Sequence, residues 1–348
     1  MEIQHQVPLA PLTTMKVGGP ARYFVEARSE QDVLAAVKEA KTRAWPLFVL
    51  GGGSNLVVSD GGWKGLVLKI ALTGIAEHRD GSRTRFDVGA GEDWDAFVAY
   101  AVARNCAGIE CLSGIPGTVG GTPVQNVGAY GQEVSDTIVS IRALDTSTGT
   151  ICELQNADSG FAYRTSIFNA RERGRYIVLQ VTYALTPGGA PRIEYADLKR
   201  DFAGRSNAPT LAETRDAVRA IRLSKAMLIV PGDDDCRSAG SFFKNPVLTR
   251  PAFEQLQAHN PAIPSFPARD GMVKVAAAWL VEQAGFPRGL ARGAVGISRK
   301  HALAIVNRGG ATAADIINLK NEIQQRVRDQ FGIELQPEPV FVGFDQPL

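Results

Sequence analysis

The stretch RSAGSFFKNP at 237–246 sets one hydroxyl, Ser241, directly after Gly240, then two phenylalanines, the cation Lys244, the amide Asn245 and a proline. Glycine lets main chain run close to a ligand, and paired phenylalanines fix local packing and exclude water. The segment therefore reads either as a rigid mount for a reactive hydroxyl or as a turn beside a core. A hydrolase serine would need a histidine base, and the four histidines, His5, His78, His259 and His301, are scattered along the chain. A second candidate is Arg164, inside the aromatic and apolar run FAYRTSIF at 161–168. A guanidinium is costly to bury unless an anion meets it. Arg164 is thus an anion clamp or a surface arginine lying over Tyr163. A third is Glu338, a carboxylate held on stiff backbone between Pro337 and Pro339.

Two glycine-rich segments could hold a charged ligand. LGGGSNLVVSD at 50–60 follows an apolar strand pattern. A strand that runs into glycines presents backbone N–H groups to phosphate, although such a run can also be a simple turn. It is not the dinucleotide fingerprint, because Leu56 stands where the third glycine belongs and no helical pattern follows. LSGIPGTVGGTPVQNVGAYG at 112–131 has too much glycine and proline for a regular helix or central strand. Its Ser113, Thr118, Gln125 and Asn126 offer hydrogen bonds at fixed points.

The surrounding patterns supply the scaffold. Strands are expected at 22–26, 45–50, 66–70, 85–88, 138–145, 150–154 and 176–185, the last strongly β-branched. Ser29 with Asp32 and then Asp93 open helices with one apolar face, and Thr210 with Glu213 caps a third that ends near Lys225. Helices are also expected at 273–284, stopped by Gly285, and at 312–331, stopped by Gly332, with a strand at 302–307 and a short terminal strand after Glu338. The texture changes near residue 205, where a region with its own apolar faces begins.

At 348 residues the chain exceeds what one core usually supports, so two or three domains are expected. Its 38 basic and 36 acidic residues leave a net charge of +2, which gives no general reason to bind nucleic acid or an anionic membrane. The four cysteines form no C-x-x-C pair and no zinc-like cluster, so no metal is expected and a reducing cytoplasm fits. No apolar run approaches the roughly 18 residues of a membrane span, and no leader pattern opens the chain.

Taken in order, LGGGSNLVVSD, GIPGTVGGTPVQNVGAYG, YRTSIF, AGSFFKNP and the terminal PEP resemble the UDP-N-acetylenolpyruvoylglucosamine reductase family over nearly the whole chain. Tyr195, in a Tyr-x-Asp-Leu setting, resembles the form with an extra tyrosine loop. The resemblance implies an α+β fold: a two-part FAD-binding unit of the vanillyl-alcohol-oxidase (PCMH) type, plus a C-terminal α+β substrate-binding domain that closes over it. The implied division is 1–60, joined by the strand within 333–348, then 61–204, then 205–332.

It further implies noncovalent FAD, held by Leu50, Gly51, Gly52, Gly53, Ser54 and Asn55 in the first loop. In the second loop the contacts would be Ser113, Gly114, Ile115, Pro116, Gly117, Gly120, Gly121, Asn126, Gly128, Ala129 and Tyr130, with Ile177 beyond it. NADPH would be the co-substrate and UDP-N-acetylglucosamine enolpyruvate the substrate, reduced to UDP-N-acetylmuramate for peptidoglycan. Hydride would pass from flavin N5 to C3. Arg164 would steady the enolate, Glu338 would complete that contact, and Ser241 would protonate C2. Tyr195, Lys225 and Asn245 match diphosphate positions, Gln283 matches a substrate contact, and Lys244 or the Glu338 network would restore the proton of Ser241. Two departures stand out. Some members carry an arginine where this chain has Val340, and the segment between Lys225 and Ser241 is longer here, with three consecutive aspartates, Asp233 to Asp235. A flavin oxidase or dehydrogenase of the same fold acting on another substrate is the alternative, and a monomer is expected.

Overall fold

The computed structural model describes residues 1–345. The chain divides into two compact units, one made of Met1–Val7, Ala21–Gly53 and Lys64–Leu228, the other of Pro8–Pro20, Ser54–Trp63 and Ile229–Leu348.

In the first unit, strands Pro20–Ala27, Trp63–Ile70 and Leu47–Leu50 lie in a four-stranded sheet with Gln4–Pro8 at its edge. Leu47–Leu50 and the second of these run parallel, Leu47 opposite Leu66. The helix Glu30–Thr42 links Pro20–Ala27 to Leu47–Leu50, with Ser29 accepting the Asp32 N–H as its cap and Val33, Ala36, Val37 and Ala40 buried. A second, antiparallel sheet has the strand Tyr176–Pro187 at its centre, paired with Ile138–Asp145 on one side and Arg83–Gly89 on the other. Its nearly continuous burial from Ile177 to Leu185 and its β-branched residues suit a strand covered on both sides. The helix Trp94–Ala103 packs Trp94, Phe97, Val98 and Ala101 into the same core, where Phe97 lies 5.1 Å from the ring of Tyr183.

The expected boundary near residue 205 is not where the chain changes unit. Helices Ala196–Asp201 and Leu211–Ser224 bury Leu198, Ala217 and Val218 with Phe202 against Cys111 and Tyr130, so both belong to the first unit, which ends at Leu228. The segments 8–20 and 54–60, expected with the amino-terminal part, and 61–63, expected with the part that follows, lie in the second unit.

The second unit gathers Phe242, Phe243, Val275, Leu280, Phe286, Ile305, Ile316, Ile323 and Leu335 around the helix Ala313–Phe331. That helix has the Thr312/Asp315 box and ends at Gly332, whose φ of 68° suits glycine. The expected helix 273–284 is corrected. Val273–Val275 is the central strand of a three-stranded sheet, and the helix is the shorter Ala277–Gln283. The alternation puts buried Val273 and Val275 on one face and half-buried Lys274 on the other, a strand period that overrides the helical run behind it. The strand after Glu338 is Val340–Val342, parallel to Leu56–Val58, and residues 346–348 of the expected terminal segment lie outside the described residues. No helix among the described residues is long and apolar enough to cross a membrane.

Candidate functional site

In the first unit the two glycine-rich segments press backbone to backbone. A Cβ on Gly52 would lie 2.5 Å from the Gly117 Cα, and one on Gly51 would lie 2.9 Å from the Thr118 Oγ1. No side chain fits there. The Thr118 hydroxyl oxygen is buried and, among the described residues, has no hydrogen-bond partner. A buried hydroxyl without a partner is costly unless a ligand supplies one. Sequence reasoning noted this threonine as a hydrogen-bonding group of its loop but did not count it among the cofactor contacts, although its place between glycine runs was a legible signal.

The second loop is held from below by charge. The Gly114 N–H donates to Asp95 Oδ1 at 2.6 Å, and its carbonyl accepts from Arg222 Nε at 3.1 Å. Asp95 also takes Arg215 Nη1 at 2.5 Å and Arg219. Burial disfavours the charged carboxylate of Asp95, but the Arg215 hydrogen bond, the Gly114 N–H and the two guanidinium charges outweigh it and lower its pKa. Arg222 is buried, and its Nη2 donates to the Met227 carbonyl at 2.7 Å. The three arginines recur at the spacing of one helix face, which the sequence displays.

Other expected cofactor contacts have visible structural work. Leu50 ends its strand buried, Gly53 bends with φ 66°, and Ile115 packs on the core. Ser113 is buried and donates to the Glu110 carbonyl at 2.6 Å. The Asn126 amide donates to Glu133 Oε2 at 2.9 Å and the Ala162 carbonyl at 3.2 Å, while its oxygen accepts the Ser135 N–H at 3.2 Å. Gly128 and Ala129 pair with Glu133 and Gln132 in a hairpin, closed by Tyr130 and Gly131 at φ 49° and 89°. Gly120 lies against Ala90, Gly121 is exposed, and the Ile177 side chain sits in the core.

Arg164 has φ 53° and donates from Nη2 to the Gly128 carbonyl at 2.8 Å and from Nη1 to that of Asn126 at 3.5 Å. Its guanidinium also lies 5.5 Å from the Tyr163 ring centroid, so the arginine is tied to the second loop while touching the tyrosine. Asn126, Tyr130 and Arg164 all occupy the left-handed region, which costs non-glycine residues about 1–2 kcal/mol each and concentrates at functional positions. Nearby, the Tyr195 ring meets Tyr130 edge-on at 5.3 Å and is 46% exposed. Lys225 Nζ contacts Asp197 Oδ2 at 2.6 Å and holds that carboxyl below the ordinary aspartate range. Burial pushes the Tyr130 phenol up, so it stays a neutral hydrogen-bonding group.

In the second unit the Ser241 mount is a strand-like segment laced on both sides. The Phe242 N–H donates to the Leu303 carbonyl at 2.8 Å, and the Phe242 carbonyl accepts from the Glu338 N–H at 2.9 Å. Lys244 N–H meets the Gln336 carbonyl at 2.9 Å, and Phe243 bridges Pro337. Phe242 and Phe243 are buried, as the paired aromatics suggested. Ser241 and Glu338 are thereby brought onto adjacent backbones. Asn55 joins them, donating from Nδ2 to the Glu338 carbonyl at 3.2 Å, with the Val340 N–H returning to the Asn55 carbonyl at 2.9 Å. The Ser54 carbonyl takes the Thr14 hydroxyl at 3.2 Å. Asn245 Oδ1 accepts the Ala277 N–H at 2.9 Å, capping the helix whose last residue, Gln283, is exposed.

Residues 21–155 match an FAD-binding domain and residues 231–342 match the UDP-N-acetylenolpyruvoylglucosamine reductase C-terminal domain. The reductase of Thermobifida fusca is 46% identical over 97% of this chain and 97% of its own length. The chain belongs to the UDP-N-acetylenolpyruvoylglucosamine reductase family. The reductase of Streptomyces avermitilis is 44% identical over 98% of this chain and 95% of its own. The crystal structure of the Thermus caldophilus reductase superposes with a TM-score of 0.67 at 26% identity, covering 98% of this chain and 99% of that one. The two domain matches give the α+β plan of an FAD-binding unit followed by the family's C-terminal domain. FAD is the cofactor of such an oxidoreductase. The glycine cradle that no Cβ could enter, with the partnerless Thr118 hydroxyl at its edge, suits a diphosphate.

Proposed function

We propose that the chain reduces UDP-N-acetylglucosamine enolpyruvate to UDP-N-acetylmuramate with NADPH, using Arg164, Ser241 and Glu338. FAD, when bound, would supply the hydride chemistry that links NADPH to C3 of the enolpyruvyl group. Gly51 to Asn55, Thr118 and the 113–130 loop would hold it, with N–H groups and hydroxyls able to answer a diphosphate charge. As C3 gains its hydride, the electron pair of the double bond moves through C2 onto the carboxylate as an enolate. Arg164 answers that charge with a permanent cation whose place is fixed by the Gly128 carbonyl, so no reorganisation is needed as the charge develops. The Ser241 O–H then breaks as the C2–H bond forms, and Glu338, as an acid or through water, or Lys244 returns a proton to the alkoxide. Tyr195, Lys225, Asn245 and Gln283 bind the nucleotide sugar, with Lys225 answering the diphosphate. A monomer acting in the cytoplasm is part of the same proposal.

The observation that carries the reading is the mount of Ser241. The residues that follow it, Phe242 and Lys244, are laced to 303, 336 and 338 by backbone hydrogen bonds, and two buried phenylalanines anchor the segment, which supports a rigid mount for the hydroxyl. Ser241→Ala tests it under anaerobic conditions. Bleaching of the bound flavin by NADPH should stay within about twofold of the unsubstituted protein, and recovery of its absorbance by the enolpyruvyl substrate should slow by at least about a hundredfold. Equal slowing of both steps would remove Ser241 from the proton-donor role.

A further inference from the structure

The three aspartates at 233–235 belong to none of the roles above, yet one of them is buried. Asp235 is 1% exposed, and its Oδ2 accepts the Ser298 hydroxyl at 2.6 Å. The Arg299 N–H is shared by both oxygens, at 3.1 Å to Oδ1 and 3.0 Å to Oδ2. Arg299 Nη1 and Arg308 Nη1 stand at 3.8 and 3.9 Å from Oδ1. The neighbours serve the surface: Asp234 pairs with Arg299 at 2.9 Å, and Asp233 lies 3.6 Å from Lys300 Nζ.

Ser298 is the hub of the turn that Asp235 grips. Its Oγ accepts the N–H groups of Lys300 and His301 at 3.1 Å each, and its own N–H donates to the Ala304 carbonyl at 2.8 Å. The same turn carries Leu303, whose carbonyl receives the Phe242 N–H, next to Ser241. Between these two anchors Arg237 accepts the Asn307 N–H at 2.9 Å, and Ser238 bridges Val306. Residues 235 and 242, on either side of Ser241's approach, are therefore fastened to one turn. A carboxylate suits this place because every group aimed at it is a donor, and a carboxamide would turn an N–H₂ toward a hydroxyl or an N–H.

We infer that Asp235, acting through Ser298, is a positioning residue that fixes the Ser241 hydroxyl for proton transfer. The inference rests on Ser241 being the proton donor. Small misplacements of a reacting group cost about a hundredfold, whereas hydride transfer from NADPH does not use Ser241. Asp235→Asn, Ser298→Ala, Ser298→Thr and Ser241→Ala are compared in the FAD-loaded protein by anaerobic stopped flow, with melting temperature recorded for each.

For Asp235→Asn and Ser298→Ala, bleaching by NADPH should stay within about twofold while recovery by the enolpyruvyl substrate slows by about 10- to 100-fold. The double substitution should slow recovery little more than either alone, because both cut one connection. Ser298→Thr, which keeps the hydroxyl, should restore most of the rate. Should Asp235→Asn prove too unstable to load, the pair Ser298→Ala and Ser298→Thr decides alone. The inference is overturned if recovery in Ser298→Ala matches the unsubstituted protein, if both steps slow together, or if threonine fails to rescue. If Ser241→Ala itself leaves recovery intact, the proton-donor reading falls and this inference with it. Selective slowing in Ser241→Ala without any in the other two sinks the positioning role alone.

Discussion

Thr118→Val keeps the shape of a side chain while deleting a hydroxyl that is buried and has no partner among the described residues. If that hydroxyl answers the cofactor, valine should weaken FAD binding by about 2- to 12-fold, the worth of one hydrogen bond, in a flavin fluorescence titration. Unchanged or tighter binding would show that the hydroxyl faces no ligand. Gly52→Ala should be far harsher, since its Cβ would sit 2.5 Å from backbone that cannot turn aside. Arg164→Met tests charge. Its carbonyl contacts position a cation but cannot replace one, so absorbance recovery by the enolpyruvyl substrate should suffer at least about tenfold while NADPH bleaching does not. Loss confined to NADPH bleaching would contradict the clamp role.

The arginine face of Leu211–Ser224 and the start of Trp94–Ala103 act as one device, because Asp95 and Arg222 grip the two sides of the Gly114 peptide. The Asp95 pKa is lowered from 3.8 in the folded chain, so its contribution to stability is complete above about pH 4 and is lost as pH falls through the lower folded value. Urea titrations across that window should show stability falling with acid, and Asp95→Asn should flatten the fall; an unaltered slope would count against the network. On the other unit, Phe242→Ala should destabilise by about 3–5 kcal/mol, because the ring is fully buried beneath the Ser241 mount.

Most of this framework was legible where one period dominates. Caps such as Ser29, Thr210 and Thr312, and the long strand at 176–187, announce themselves in the sequence. Val273 to Val275 did not, because three alternating residues beside an alanine-rich helix are too few to declare a strand until Val247 and Ser265–Pro267 pair with them. The strands at 4–8 and 75–80 and the helix Arg250–His259 also escaped, being mostly exposed and poor in apolar period. Ser241, Arg164 and Glu338 were visible as residue types in unusual settings. Asp235 was visible only as a charge among charges, since its burial depends on Ser298, sixty-odd positions away.

The whole molecule combines an FAD-binding domain match with the reductase family's C-terminal domain, and its two compact units are each built around their own core. A ligand that binds only folded protein stabilises it by about 2.7 kcal/mol at a hundredfold excess over its dissociation constant. FAD should therefore raise the melting temperature in a concentration-dependent way, and removing it should lower it. The most direct test of the account is a single anaerobic absorbance experiment on the FAD-loaded protein. NADPH should bleach the flavin within the dead time of manual mixing, and UDP-N-acetylglucosamine enolpyruvate should then restore the colour without oxygen, with UDP-N-acetylmuramate accumulating in equal amount. A flavin that NADPH cannot bleach, or that stays bleached until air is admitted, would contradict it.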